Sequence, residues 1–178
     1  MRNWRRSRIL SITLCIIVSI LSGCSININQ TLLSDQIAAK ALSYAVSRID
    51  SLYVFGARGP EQFDCSGLIV WSYKQVYPNL KLRIGNRLVE DANINEIYKY
   101  NVEPVLVDNL IGGEIIFITD SESKVTHGAL FIRRIDSDNI EIVHASSKTG
   151  KVVIEPWPLE RKVRDQWFVG AGRLMTAY

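Results

Sequence analysis

The sequence predicts an α+β domain, with helices first and an antiparallel meander after them. Two observations carry this prediction. Between residues 33 and 77 apolar side chains recur at helical spacing. From Gly112 onward, short runs of β-branched and aromatic residues alternate with turn residues. The 178-residue chain contains no internal repeat and no low-complexity tract, and nothing in it marks a second folded domain.

Residues 1–23 read as a leader rather than as part of the fold. Arg2, Arg5, Arg6 and Arg8 form a positive end, and Ile9 to Leu21 is an apolar run too short to span a bilayer comfortably. Leu21-Ser22-Gly23-Cys24 follows and resembles a bacterial lipobox, whose cysteine is lipidated after cleavage. An uncleaved anchor helix is the alternative. Either way an exported, membrane-anchored protein is expected, on the periplasmic face of the outer membrane if the source is Gram-negative. The formal charge of +3 belongs to this leader: losing its four arginines, which no acid accompanies, leaves −1. The basicity is therefore no argument for nucleic acid.

Residues 24–33 are polar and read as a tether, and 34–178 as the folded domain. Ile37, Ala41, Ala45 and Ile49 predict a helix ending near Asp50. Gly56, Gly59 and Pro60 make residues 51–62 a loop. A second helix runs from Cys65 to Tyr77, closed by Pro78. Residues 79–112 are ambiguous; 86–98 admit one helix or two, although Asp91-Ala92-Asn93 weakens that reading. Strands are expected at 114–119, 128–134, 140–144, 152–155 and 168–174, with hairpin turns at 136–139 and 146–150.

Of three cysteines, Cys15 leaves with the leader and Cys24 is blocked by lipid, so Cys65 is the one free thiol. It stands at the first turn of a helix, where unpaired N–H groups and the helix dipole favour thiolate. The two histidines, His127 and His144, lie downstream in or beside strand-like runs. One cysteine followed by two histidines is the skeleton of a cysteine hydrolase. Zinc is not expected, because the three groups spread over the chain without a close ligand pair. No cofactor is expected either.

Five blocks occur in order: Tyr53-Val54-Phe55-Gly56, Phe63-Asp64-Cys65-Ser66-Gly67, Gly112-Gly113-Glu114-Ile115-Ile116-Phe117, Thr126-His127-Gly128-Ala129-Leu130-Phe131-Ile132, and Val143-His144-Ala145-Ser146-Ser147. Together they resemble the NlpC-type cysteine peptidases, papain-like enzymes that trim bacterial cell-wall peptides. The resemblance spans nearly all of the chain after the leader. It implies a papain-like fold with N-terminal helices on a sheet of five or six strands. It implies Cys65 as nucleophile, His127 as general base and His144 as the group orienting that base. Tyr53 falls where the family keeps a tyrosine near the nucleophile, and Asp64 and Ser66 fall on positions associated with gripping the substrate's amino end. The substrate it implies is a peptidoglycan stem peptide or muropeptide, cut between D-γ-glutamate and the diamino acid by a monomeric enzyme. One departure stands out: the family has two glycines after the tyrosine, whereas Ala57 follows Gly56. If that position needs positive φ, alanine is strained there. Two other readings stay open: amide hydrolysis or acyl transfer on a non-wall substrate, and a lipoprotein that binds wall without catalysis.

The remaining features are plainer. Lys81, Arg83 and Arg87, and Arg161, Lys162 and Arg164, read as solvated faces. Trp71, Trp157, Trp167 and Phe168 read as core, with Trp157, between Pro156 and Pro158, the one placed to line a groove rim.

Overall fold

The computed structural model describes residues 28–178. The leader, the lipobox with Cys24 and tether residues 24–27 lie outside the described residues. Among the described residues no helix is long and apolar enough to cross a membrane.

Helix α1 (Asp35–Val46) begins where Ser34 accepts a hydrogen bond from the Ile37 N–H, and it buries Ala38, Ala41 and Ala45. It ends short of Asp50. The amides of Arg48 and Ile49 bond back only three residues, so the last turn tightens and closes the helix. Helix α2 (Cys65–Val76) begins at the cap Asp64 and ends one residue short of Tyr77. The two helices lie together against one face of the main sheet, and the buried Tyr73 hydroxyl donates to the Gly113 carbonyl at 2.9 Å.

The sheet has nine strands, more than the five or six expected. They are β1 (Gln30–Leu32), β2 (Leu52–Tyr53), β3 (Gln62–Phe63), β6 (Val102–Val105), β7 (Ile115–Thr119), β8 (His127–Arg134), β9 (Asn139–Ser146), β10 (Lys151–Pro158) and β11 (Trp167–Ala177). The order is β1-β11-β7-β8-β9-β10-β2-β3, with β6 also on β11, and only β2 and β3 run parallel. The strands missed in the sequence are two to four residues long, too short to show a period of two. One of them, β1, occupies residues assigned above to the tether; it pairs with the end of β11, and Asn29 exchanges backbone hydrogen bonds with Tyr178.

Residues 79–112 hold a separate hairpin, β4 (Leu82–Ile84) with β5 (Arg87–Val89), then helix α3 (Ile94–Tyr100) and strand β6. A capping box starts α3: Asn93 accepts from the Glu96 amide, and Glu96 accepts from the Asn93 amide.

Alternation along β7 divides the core. Ile115 and Phe117 pack with Leu68, Ile69, Leu130 and Val143 on the helix side. Ile116 and Ile118 pack with Ala129, Ile142 and Trp157 on the other. Trp157 therefore does not line a rim. It is 1% exposed, because pairing with Ile140 turns its ring into this second cluster despite the flanking prolines.

Candidate active site

The α2 N-terminus and the start of β8 meet in a cleft of about 650 Å³, lined among others by Tyr53, Phe55, Cys65, Lys124 and His127. Cys65 comes from the first turn of α2 and His127 from the first residue of β8. Gly128 keeps the approach close: a Cβ there would lie 2.3 Å from Ile94 Cδ1.

Asp64 organises the helix end. Its Oδ1 accepts from the Gly67 N–H at 2.6 Å and the Ser66 hydroxyl at 3.0 Å; its Oδ2 accepts from the Gly56 N–H at 3.0 Å and from Arg58 at 2.7 Å. Both oxygens are thus engaged in joining the 54–63 loop to α2. Arg58 also bonds Asp91, so it bridges two acids beside the cleft. Gly56 takes φ +80°, whereas Ala57 is not among the positive-φ residues. The alanine therefore carries no left-handed strain, and the position that needs glycine is the one before it.

The histidines are joined on one face of the sheet. The pairing of Leu130 with Val143 continues so as to set His144 opposite Ala129, which places His127 and His144 as diagonal neighbours. His127 Nε2 lies 2.6 Å from His144 Nδ1, and His144 Nε2 lies 2.8 Å from Glu155 Oε1. Both rings are nearly buried. Glu155, on β10, went unnoticed in the sequence. Its trace there is an acid sharing strand parity with Trp157, a residue that faces the core.

With both rings neutral, these contacts select one arrangement of hydrogens. The hydrogen bond from His144 holds the Glu155 carboxyl below its ordinary range, with Arg164 assisting. An ionised carboxylate only accepts, so His144 Nε2 carries the hydrogen. His144 Nδ1 is then an acceptor and takes the hydrogen from His127 Nε2. That leaves the His127 Nδ1 lone pair free, the form a general base requires. Tyr53 is raised above its ordinary value by burial and by the Cys65 and Asp64 charges, so its hydroxyl stays a donor.

Burial opposes charge at both Cys65 and His127. It pushes the Cys65 thiol up to about 11, with Asp64 adding, while the backbone N–H groups of Gly128, Ser66 and Cys65 pull the other way. Burial and His144 push His127 down to about 3. Burial thus favours the neutral form of both groups and works against the thiolate that the helix terminus favours. The alkylation rate of Cys65 should accordingly keep rising with pH through the neutral and alkaline range; a plateau reached in acid would reveal a preformed ion pair. Stability follows the same shifts. Below pH 6.5 the unfolded chain takes up a proton that folded His127 refuses, so stability should fall as pH drops from about 6.5 towards 3. Denaturation midpoints across that window should show the decline, and His127→Gln should flatten it.

On this α+β framework, a helix-borne thiol beside linked strand-borne imidazoles is the arrangement of a hydrolase. The chain belongs to the NlpC/P60 family, whose model matches residues 50–173. No curated protein matches it. Among solved structures it is similar to NlpC1 from Trichomonas vaginalis, with TM-score 0.56 and 18% identity over 83% of this chain and 47% of that one. It is also similar to an NLP/P60-family protein described as similar to lipoprotein from Staphylococcus aureus, with TM-score 0.55 and 22% identity over 90% and 48%. An NlpC/P60 family protein from Bacillus cereus gives TM-score 0.56 and 18% identity over 81% and 41%. The likeness is one of fold, and the chain covers about half or less of each of these proteins.

Proposed function

We propose that this protein is a cysteine endopeptidase of peptidoglycan stem peptides, cutting between D-γ-glutamate and the diamino acid. The observation that carries the reading is the hydrogen-bonded His127–His144 pair, which leaves a basic nitrogen free in the cleft that holds Cys65. In this reading His127 Nδ1 takes the thiol proton as the sulfur attacks the amide carbonyl. A neutral resting pair makes this transfer part of the attack rather than a prior step. The tetrahedral oxyanion is met by the Cys65 backbone N–H and the Tyr53 hydroxyl. His127 returns the proton to the leaving amine, and water, deprotonated by the same nitrogen, hydrolyses the thioester. Asp64 and Ser66, with Arg58 between Asp64 and Asp91, shape the end of the cleft that receives the substrate's amino side.

The proposal extends to location. Cys24 carries the lipid and holds the protein at a membrane, on the periplasmic face of the outer membrane if the source is Gram-negative. The motif Leu21-Ser22-Gly23-Cys24 behind an apolar run supports this part.

The test is to incubate the purified protein with defined muropeptides and identify the products by mass spectrometry. Fragments ending in D-glutamate, together with peptides beginning at the diamino acid, are expected. Intact substrate after prolonged incubation, or cleavage at another bond, would overturn the assignment.

A further inference from the structure

We propose that Glu155 is a positioning residue for this chemistry, selecting through His144 the tautomer in which His127 is a base. This rests on the function proposed above. The argument turns on what happens to two linked imidazoles without an acceptor at the far end. His144 would then be free to carry its hydrogen on Nδ1. It would donate to His127 Nε2, and the His127 hydrogen would move to Nδ1. The base would become a donor aimed into the cleft, unable to accept the thiol proton. The two arrangements differ only in which nitrogens hold hydrogens, so packing barely distinguishes them. A carboxylate at His144 Nε2 distinguishes them strongly, because it accepts from one and repels the lone pair of the other.

The location of Glu155 suits that role. It lies on β10, two residues beyond Val153, the partner of His144, so its side chain crosses diagonally to the ring. Its side chain is 21% exposed, against 4% for His144. The carboxylate thus keeps part of its hydration while the rings it controls are nearly buried. Glu155 faces His144 and, at 3.9 Å, Arg164. His144 faces His127, Glu155 and the edge of Trp157. His127 faces His144 and shares the cleft with Cys65 and with the charged Arg58, Asp64, Asp120 and Lys124. Glu155 is the one anion among these that bonds directly to an imidazole. When His127 accepts the thiol proton, the new positive charge is shared along the two rings towards that anion.

The experiment compares Glu155→Gln and Glu155→Ala with the wild type by two readouts. The first is the pH profile of kcat/KM on muropeptides. Glu155→Ala should lose about 10- to 100-fold, the range for groups that orient a reacting residue. Glu155→Gln, whose amide oxygen still accepts from His144, should lose less. In both, the acid limb should move to lower pH, because the charged form of the base has lost its anion. The second readout is nitrogen NMR of the two rings, which needs no substrate. The wild type should show hydrogen on His144 Nε2 and His127 Nε2, and Glu155→Ala should show the Nδ1 forms. Unchanged tautomers in Glu155→Ala, or rates and profiles equal to wild type in both variants, would overturn the assignment. A wild type inactive on every muropeptide would overturn the proposed substrate instead, and the ring spectra would still decide the role of Glu155.

Discussion

Cys65→Ala is expected to lower muropeptide cleavage by roughly 10⁴-fold or more while leaving the fold in place. The substitution removes a single sulfur from the first turn of α2. The Asp64 cap, the Gly67 bond and the burial of Leu68 and Ile69 are untouched. His127→Ala should cost a comparable factor, because a buried thiol pushed up to about 11 has no other means of losing its proton at neutral pH. The two losses should not add. Once either partner is gone the other has nothing to act on, so the double variant should be no slower than the worse single one. Initial rates of product formation, with thermal unfolding as the control for folding, check all three. A Cys65→Ala protein within tenfold of wild type would remove the sulfur from the mechanism.

Gly67→Ala should be the most damaging substitution of a single hydrogen by a methyl near the cleft. A Cβ at this position would lie 2.1 Å from the Ala57 carbonyl oxygen and 3.0 Å from Asp64 Oδ1. Neither obstacle can yield easily. The Ala57 oxygen accepts the Asp64 N–H at 3.0 Å, and Asp64 is tied by four donors. The backbone of Gly67 is ordinary helix, so the cost is steric: one of two backbone segments must move. A loss of about 3 kcal/mol is expected, together with at least ~10²-fold in rate, because the shift falls on the turn that carries the sulfur. Denaturant midpoints and residual cleavage measure the two effects. Ala57→Gly is the matched control and should change either quantity little, since Ala57 does not take a positive φ.

Much of the fold and site was legible before any coordinates, for identifiable reasons. Long elements announce themselves: α1 and α2 through apolar spacing, and β7 to β11 through β-branched runs between turn residues. Cys65 was conspicuous because a helix start gives a thiol a specific electrostatic setting. What stayed hidden depends on partners distant in the chain. Strands β2 and β3 have two residues each and exist because β10 offers an edge for β2, which β3 then extends. Trp157 reads as core with a rim position left open between its two prolines, and only the pairing of β10 with β9 settles its face. Glu155 was invisible as a site residue, since an acid in a strand ordinarily faces water. Only the register of β9 against β10 sets it beside His144. Arg58 was hidden in the same way: its two carboxylates, Asp64 and Asp91, come from separate segments. Helix amides, visible in the sequence, favour the thiolate, whereas the desolvation that opposes charge at both Cys65 and His127 depends on packing that no sequence pattern displays.

The four bonds to Asp64 have a mechanical consequence. They fasten the stretch carrying Phe55, which is 89% exposed, to the helix carrying the sulfur. One wall of the cleft is thereby a single stiff piece, with Phe55 and Cys65 in fixed alignment. The opposite wall, which includes Asp120 and residues 124–126, has, among the described residues, no such tie to α2, so under the function proposed above a staple across it should narrow the range of peptides accepted while leaving Cys65 and His127 in place.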